Sequence, residues 1–170
     1  MSDTQSTPER PPIADDITDE QLIARYLAGT ALVRETIAGM DADQLHARPI
    51  EGKMSTQEVV THIVDSDDGL GGRIRRAIAA EDIPLVQGPG GHPEPISDPT
   101  RDVEAELQHL AMTREQMAEE MRQLPADAWD LVAIRREDRV MTVRQVFTLL
   151  VRHLENHVVT IEAKKAALGL

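Results

Sequence analysis

No cysteine occurs anywhere in the 170 residues. That absence excludes disulfides, thiolate zinc sites and a cysteine nucleophile. Aromatic residues are nearly missing too: Tyr26, Trp129 and Phe147 are the whole set, 2% of the chain. A core with so few rings must be built from Leu, Ile, Val, Met and Ala, which suits helices better than sheets. Basic residues are outnumbered, 18 against 30 acidic, giving a formal charge of −12. A field of that sign repels phosphate backbones and anionic lipid, so no nucleic acid and no membrane surface is expected as a partner. No apolar run is long enough to span a bilayer, and Met1-Ser2-Asp3-Thr4 lacks the basic and apolar regions of a secretion signal. The expected location is cytoplasmic.

What remains is 41% hydrophobic and 28% charged, the balance of a packed globule. Residues 1–16 are polar and carry Pro8, Pro11 and Pro12, which reads as a mobile tail ahead of one domain over 17–170. Thr18-Asp19-Glu20-Gln21 is a capping box, and Leu22, Tyr26, Gly29, Val33, Ile37 and Met40 follow on one helical stripe. Ser55-Thr56-Gln57-Glu58 opens a second helix expected to reach Ala80, ended by the Pro- and Gly-rich stretch 81–99. A third helix is predicted from near Thr100, with the stripe Val103, Leu107, Leu110, Arg114, Met117, Met121, Leu124, closed by Pro125. Thr142-Val143-Arg144-Gln145 caps a fourth, which runs to Leu168 with Lys164 and Lys165 in its last turn.

Four amphipathic rods of similar length with no strand signal between them predict an all-α, four-helix bundle. The connections 41–54, 81–99 and 125–141 are longer than simple hairpins need. Segment 81–99 can span a whole helix length, so the second and third helices are free to run parallel. Its Gly88-Pro89-Gly90-Gly91 run reads as a flexible loop and a candidate lid, while 125–141 gives no clear structure.

The histidines carry the chemistry. His46 and His92 lie in connections and His109 falls off its stripe, so solvated side chains account for them. His153 and His157 occupy the apolar stripe of the fourth helix at i and i+4, and both imidazoles project from one face. An H-x-x-x-H pair there can present two nitrogens to one metal ion. His62 stands at the edge of the second helix's apolar face and would complete a three-nitrogen site if those helices were neighbours. On spacing alone, a metal site and hydrogen-bonded core histidines are both open.

Arg114 is the other anomaly, a guanidinium on a core stripe. It implies an internal ion pair (Glu35, Asp65 or Asp67 are candidates), a side chain reaching the rim, or a contact to a substrate anion. Asp65, one turn beyond His62, is either an orienting or ligating carboxylate or a solvated one. Glu58 is explained by its cap, Glu155 reads as surface, and Trp129 as a packing anchor.

The stretch Met54-Ser55-Thr56-Gln57-Glu58-Val59-Val60-Thr61-His62-Ile63-Val64-Asp65 resembles the helix-two signature of the DinB/YfiT-like superfamily. That signature has a Trp-Ser pair, a Glu-hydrophobic pair and then a His. His153-Leu154-Glu155-Asn156-His157, on a helix ending in Ala-Leu-Gly, is similar to the family's C-terminal H-x-x-x-H helix. The usual aromatic before the capping serine is Met54 here, which alters packing but removes no ligand.

The resemblance implies an up-down-down-up bundle in which three histidines bind a divalent metal, commonly nickel or zinc. Carried over, the ligands are His62, His153 and His157. It also implies metal-dependent hydrolases, thiol-dependent S-transferases and isomerases acting on a small-molecule substrate, a low-molecular-weight thiol as co-substrate, and a homodimer. Three neutral imidazoles leave coordination positions open, as a catalytic site requires. The opposing reading is a non-catalytic bundle, a binding or stress-associated protein with structural histidines. No Ser-His-Asp arrangement, phosphate-binding loop or paired-carboxylate motif argues for another mechanism.

Overall fold

The computed structural model describes residues 13–14, 16–86 and 98–170. The helices are α1 (Asp19–Ile37), α2 (Ala42–His46), α3 (Thr56–Ile78), α4 (Val103–Arg122) and α5 (Val143–Ala167). The strands are β1 (Leu85–Val86), β2 (Val132–Arg136) and β3 (Val140–Thr142). The lid reading of Gly88-Pro89-Gly90-Gly91 and the tail reading up to residue 12 fall outside the described residues.

Local sequence explains where the long helices start. Thr18, Ser55 and Thr142 each form both halves of their capping boxes, with Gln21, Glu58 and Gln145 reaching back. α4 starts later than the Thr100 expected, because Asp102 is its cap and accepts from the Ala105 N–H. α1 stops at Ile37, ahead of Gly39 at φ +81°, so Met40 does not extend the stripe. α3 ends at Ile78 rather than Ala80, and Ala80 takes φ +55°.

Side-chain pairs fix the directions. Arg34 meets Glu104 and Arg122 meets Glu20, so α1 and α4 are antiparallel. Arg101 meets Asp65 and Arg75 meets Glu120, so α3 and α4 run parallel. Arg144 Nη2 donates to Ile17 O at 2.7 Å, and Lys165 Nζ to Thr36 O at 2.9 Å, so α1 and α5 are also parallel. The four long helices therefore run up-down-down-up, and α3 and α5 lie side by side and antiparallel.

Two features depart from the sequence reading. Strands are present: β1 pairs parallel with β2, and β2 antiparallel with β3. The charged cluster 135–139 is a tight hairpin, with the Arg136 N–H donating to Arg139 O at 2.8 Å. The sheet buries Ala133 and Ile134, and Trp129 on the turn before it packs edge-on against Phe147 at 5.7 Å. The second departure is Ile13, placed in the expected tail but only 6% exposed and packed into the core.

Two apolar clusters fill the bundle. One, around Leu22, Ile74, Met117, Met121 and Phe147, lies at the sheet end. The other, around Val33, Val60, Ile63, Leu107, Leu110 and Val158, lies at the end that carries the histidines. Each fully buried Leu, Ile or Phe contributes about 1.5–3 kcal/mol. Arg114, 1% exposed, crosses between the helices as the internal ion pair. Its Nε and Nη2 donate to Asp67 at 3.0 and 2.8 Å, and its Nη1 to Tyr26 O at 2.6 Å.

Candidate metal centre

α3 and α5 meet along Val59, Val60, Ile63, Leu154, Val158 and Ile161, all buried. Burying those side chains fixes the roll of both helices and turns the next position round each helix toward the seam. On α3 that position is His62; on α5 it is His153 and, one turn on, His157. The structure brings the three imidazoles together, each half-buried. His62 Nε2 lies 3.0 Å from His153 Nε2, and His157 Nε2 lies 3.1 Å from the same atom. The rings stand edge-on to one another, with interplanar angles of 62°, 78° and 81°.

That geometry tests the fit of a metal ion. An imidazole nitrogen carries one hydrogen or one lone pair and makes one linear hydrogen bond. His153 Nε2 has two nitrogens at hydrogen-bond distance, so linear hydrogen bonding accounts for only one of the contacts. Three lone pairs directed at one cation account for both. Among the described residues this is the only group of three or more His, Cys, Asp or Glu ligand atoms close enough to hold an ion. The donor set is all nitrogen, which suits zinc or nickel rather than calcium or magnesium.

Electrostatics keep one of the three imidazoles neutral. Burial, then the nearby His62 and Lys164, hold the His157 pKa down from 6.5 to about 4. Its imidazole is neutral at physiological pH, the form a metal requires. Its buried Nδ1 has no hydrogen-bond partner among the described residues. The sequence predicts for Lys164 only the role of a last-turn cation. It is 3% exposed instead, with Nζ donating to Thr160 O at 3.3 Å, and burial lowers its own pKa.

A pH prediction follows for the metal-free protein. The folded His157 resists protonation down to about pH 4, whereas the unfolded chain takes that proton near 6.5. Its contribution to stability is therefore present above pH 6.5 and is lost as pH falls toward 4, a change of about 3 kcal/mol. Urea unfolding at pH 7.5 and 4.5 should show this loss in wild type, and a smaller one in His157→Leu. Equal losses in the two proteins would refute the assignment.

The other candidates lie elsewhere. Asp65 is exposed, and its carboxylate is held by Arg101 Nη1 at 2.9 and 3.0 Å. Arg114 is committed to Asp67 and Tyr26. Glu155 is not a surface residue: it is 9% exposed and takes both oxygens to Arg25, at 2.6 and 2.9 Å. Glu58 serves its cap, accepting from the Ser55 N–H at 2.7 Å, and also pairs with Arg48. His109 pairs with Asp68 on the outside, and His46 bonds the carbonyls of Ala42 and Pro99.

Comparison with known proteins agrees with this architecture. YfiT from Bacillus subtilis, a probable metal-dependent hydrolase with an unusual four-helix bundle topology, superposes with a TM-score of 0.79. The match is at 18% identity and covers 95% of this chain and 93% of YfiT. A mycothiol-dependent maleylpyruvate isomerase matches at 0.64 and 16% identity, over 85% of this chain and 60% of the isomerase. At these identities the likeness establishes the fold. No curated protein matches the sequence. The model of the DinB superfamily matches residues 25–161, most of the chain and all four long helices in whole or part, and the protein therefore belongs to the DinB superfamily.

Proposed function

We propose that this protein is a metal-dependent hydrolase of a small-molecule substrate, with His62, His153 and His157 as the ligands of one divalent ion, zinc or nickel. The observation that carries the reading is the double approach to His153 Nε2, at 3.0 and 3.1 Å. A divalent ion held by three neutral nitrogens supplies Lewis acidity, with coordination positions left for water or substrate.

The chain's own part is to hold and orient. Val59 and Ile63 on α3, with Leu154 and Val158 on α5, lock the two helices so that the nitrogens need no rearrangement to bind. The half-buried setting leaves part of each residue accessible from solvent. His157 stays unprotonated at neutral pH.

A second reading, thiol transfer or thiol-dependent isomerisation, draws support from the likeness to a mycothiol-dependent enzyme. The chain has no cysteine, so the thiol would come from a low-molecular-weight co-substrate.

Untagged protein stripped with chelator and then given zinc or nickel tests the shared premise. Saturating metal at a hundred times Kd should add about 2.7 kcal/mol and raise the thermal midpoint by roughly 5–10 °C. No shift and no stoichiometric metal would remove the basis of both readings. Metal-loaded protein that consumes thiol with electrophiles, but hydrolyses no ester or amide in a panel, would favour the second.

A further inference from the structure

Away from the histidines, the segment through Ile17, the strand β3 and the outer side of α5 line an open cavity of about 470 Å³. That volume is in the range of small-molecule sites. Its lining combines the apolar residues Ile17, Met141 and Leu149 with three arginines, Arg139, Arg144 and Arg152. None of the three histidines lines it, although Leu149 and Arg152 flank His153 along α5.

The charge pattern is the anomaly. The chain carries 30 acidic residues against 18 basic ones, and most described arginines are paired with a carboxylate. Among the described residues, no Asp or Glu lines this cavity. Arg144 is satisfied by Asp19 and the Ile17 carbonyl. Arg139 and Arg152 make no ion pair among the described residues. Two arginines with no ion pair among the described residues, lining one concave, half-apolar space in an acidic protein, make a setting for a negative charge carried on a hydrocarbon body. Ile13, 6% exposed, closes the apolar side.

We propose that this cavity binds a small organic anion, a carboxylate whose apolar body lies on Ile17, Met141 and Leu149 and whose charge meets Arg139 and Arg152. The site is separate from the histidine cluster and does not depend on the reading of that cluster.

Trp129 supplies the signal for a test. It is the sole tryptophan, and the Arg144 guanidinium stands 5.7 Å from its ring centre, linking it to the cavity wall. Octanoate is titrated into the full chain with chelator present, so that no carboxylate bound to metal contributes, and Trp129 fluorescence is followed. The expected result is a saturable change, with octan-1-ol at least about tenfold weaker. Arg139→Ala/Arg152→Ala should also weaken octanoate about tenfold, with a nearly unchanged thermal midpoint because both side chains are exposed and make no ion pair among the described residues. Absence of saturable binding would overturn the proposal, as would equal affinity for the alcohol or an unaffected double variant. Binding seen only after removal of residues 1–12 would also overturn it, assigning the cavity to the chain's own N-terminal segment.

Discussion

His153→Ala should lower zinc or nickel affinity at least about a hundredfold, more than loss of an outer-shell partner does in metalloproteins. The reason is positional. His153 Nε2 is the atom both other imidazoles approach, at 3.0 and 3.1 Å, so its removal leaves His62 and His157 without their common neighbour. His62→Ala and His157→Ala should also weaken binding, since each leaves a two-nitrogen site. His109→Ala is the control: that ring sits on the exposed face of α4 against Asp68, and metal binding should not change. The same variants separate a metal site from a structural one. If the histidines serve as ligands, His153→Ala costs metal affinity while the metal-free protein unfolds at nearly its wild-type urea midpoint. If they serve only as a hydrogen-bonded knot in the core, the metal-free protein loses stability and wild type gains nothing from metal. Calorimetric titration of metal and urea unfolding of the chelated protein decide between these outcomes.

The parts of this structure legible in the sequence are those written locally. Thr18, Ser55 and Thr142 announce helix starts because a capping box is closed within four residues. The stripes on α1, α4 and α5 were equally plain, and Leu22, Val33, Leu107, Met121, Leu150 and Ile161 are all buried. α2 also carries a local signal, the Asp41-to-Gln44 capping box. What could not be read depends on distant partners. β1 has two residues, and its register sets Leu85 against Arg135, so neither segment signals a strand alone. Glu155 looks like a surface carboxylate until Arg25, far away on α1, is placed beside it.

The histidines fall between these cases. The i, i+4 pair on α5 is visible in the sequence, but His62 joins it only because α3 and α5 are antiparallel neighbours. The length of the 81–99 connection permitted that packing without dictating it. The family resemblance pointed to His62; the side-chain geometry places it 3.0 Å from His153.

The polar layer between the apolar clusters should prove the most sensitive point of the fold. Arg114→Leu is expected to cost about 3–5 kcal/mol, because it leaves Asp67 buried and uncompensated. Burial already raises the Asp67 pKa against the pull of Arg114 and Tyr26, so the carboxylate has little to fall back on once the guanidinium is gone. Replacing both partners, Arg114→Leu with Asp67→Leu, should cost much less than the single change. Gly29 supplies a second handle on the same layer. A Cβ there would stand 2.4 Å from Arg114 Nη1, with the Leu154 methyls at 3.0 and 3.1 Å. A long side chain would ordinarily swing aside, but this one is held by two bonds to Asp67 and one to the Tyr26 carbonyl. Gly29→Ala should therefore destabilise wild type by about 1–3 kcal/mol, although alanine is the better helix former by about 1 kcal/mol. With leucine at 114 the guanidinium clash is absent, and the same substitution should become nearly neutral or stabilising. A double-mutant cycle on urea unfolding reads the difference directly. Additive effects of Gly29→Ala and Arg114→Leu would mean that the close approach of guanidinium to helix does not govern the choice of glycine.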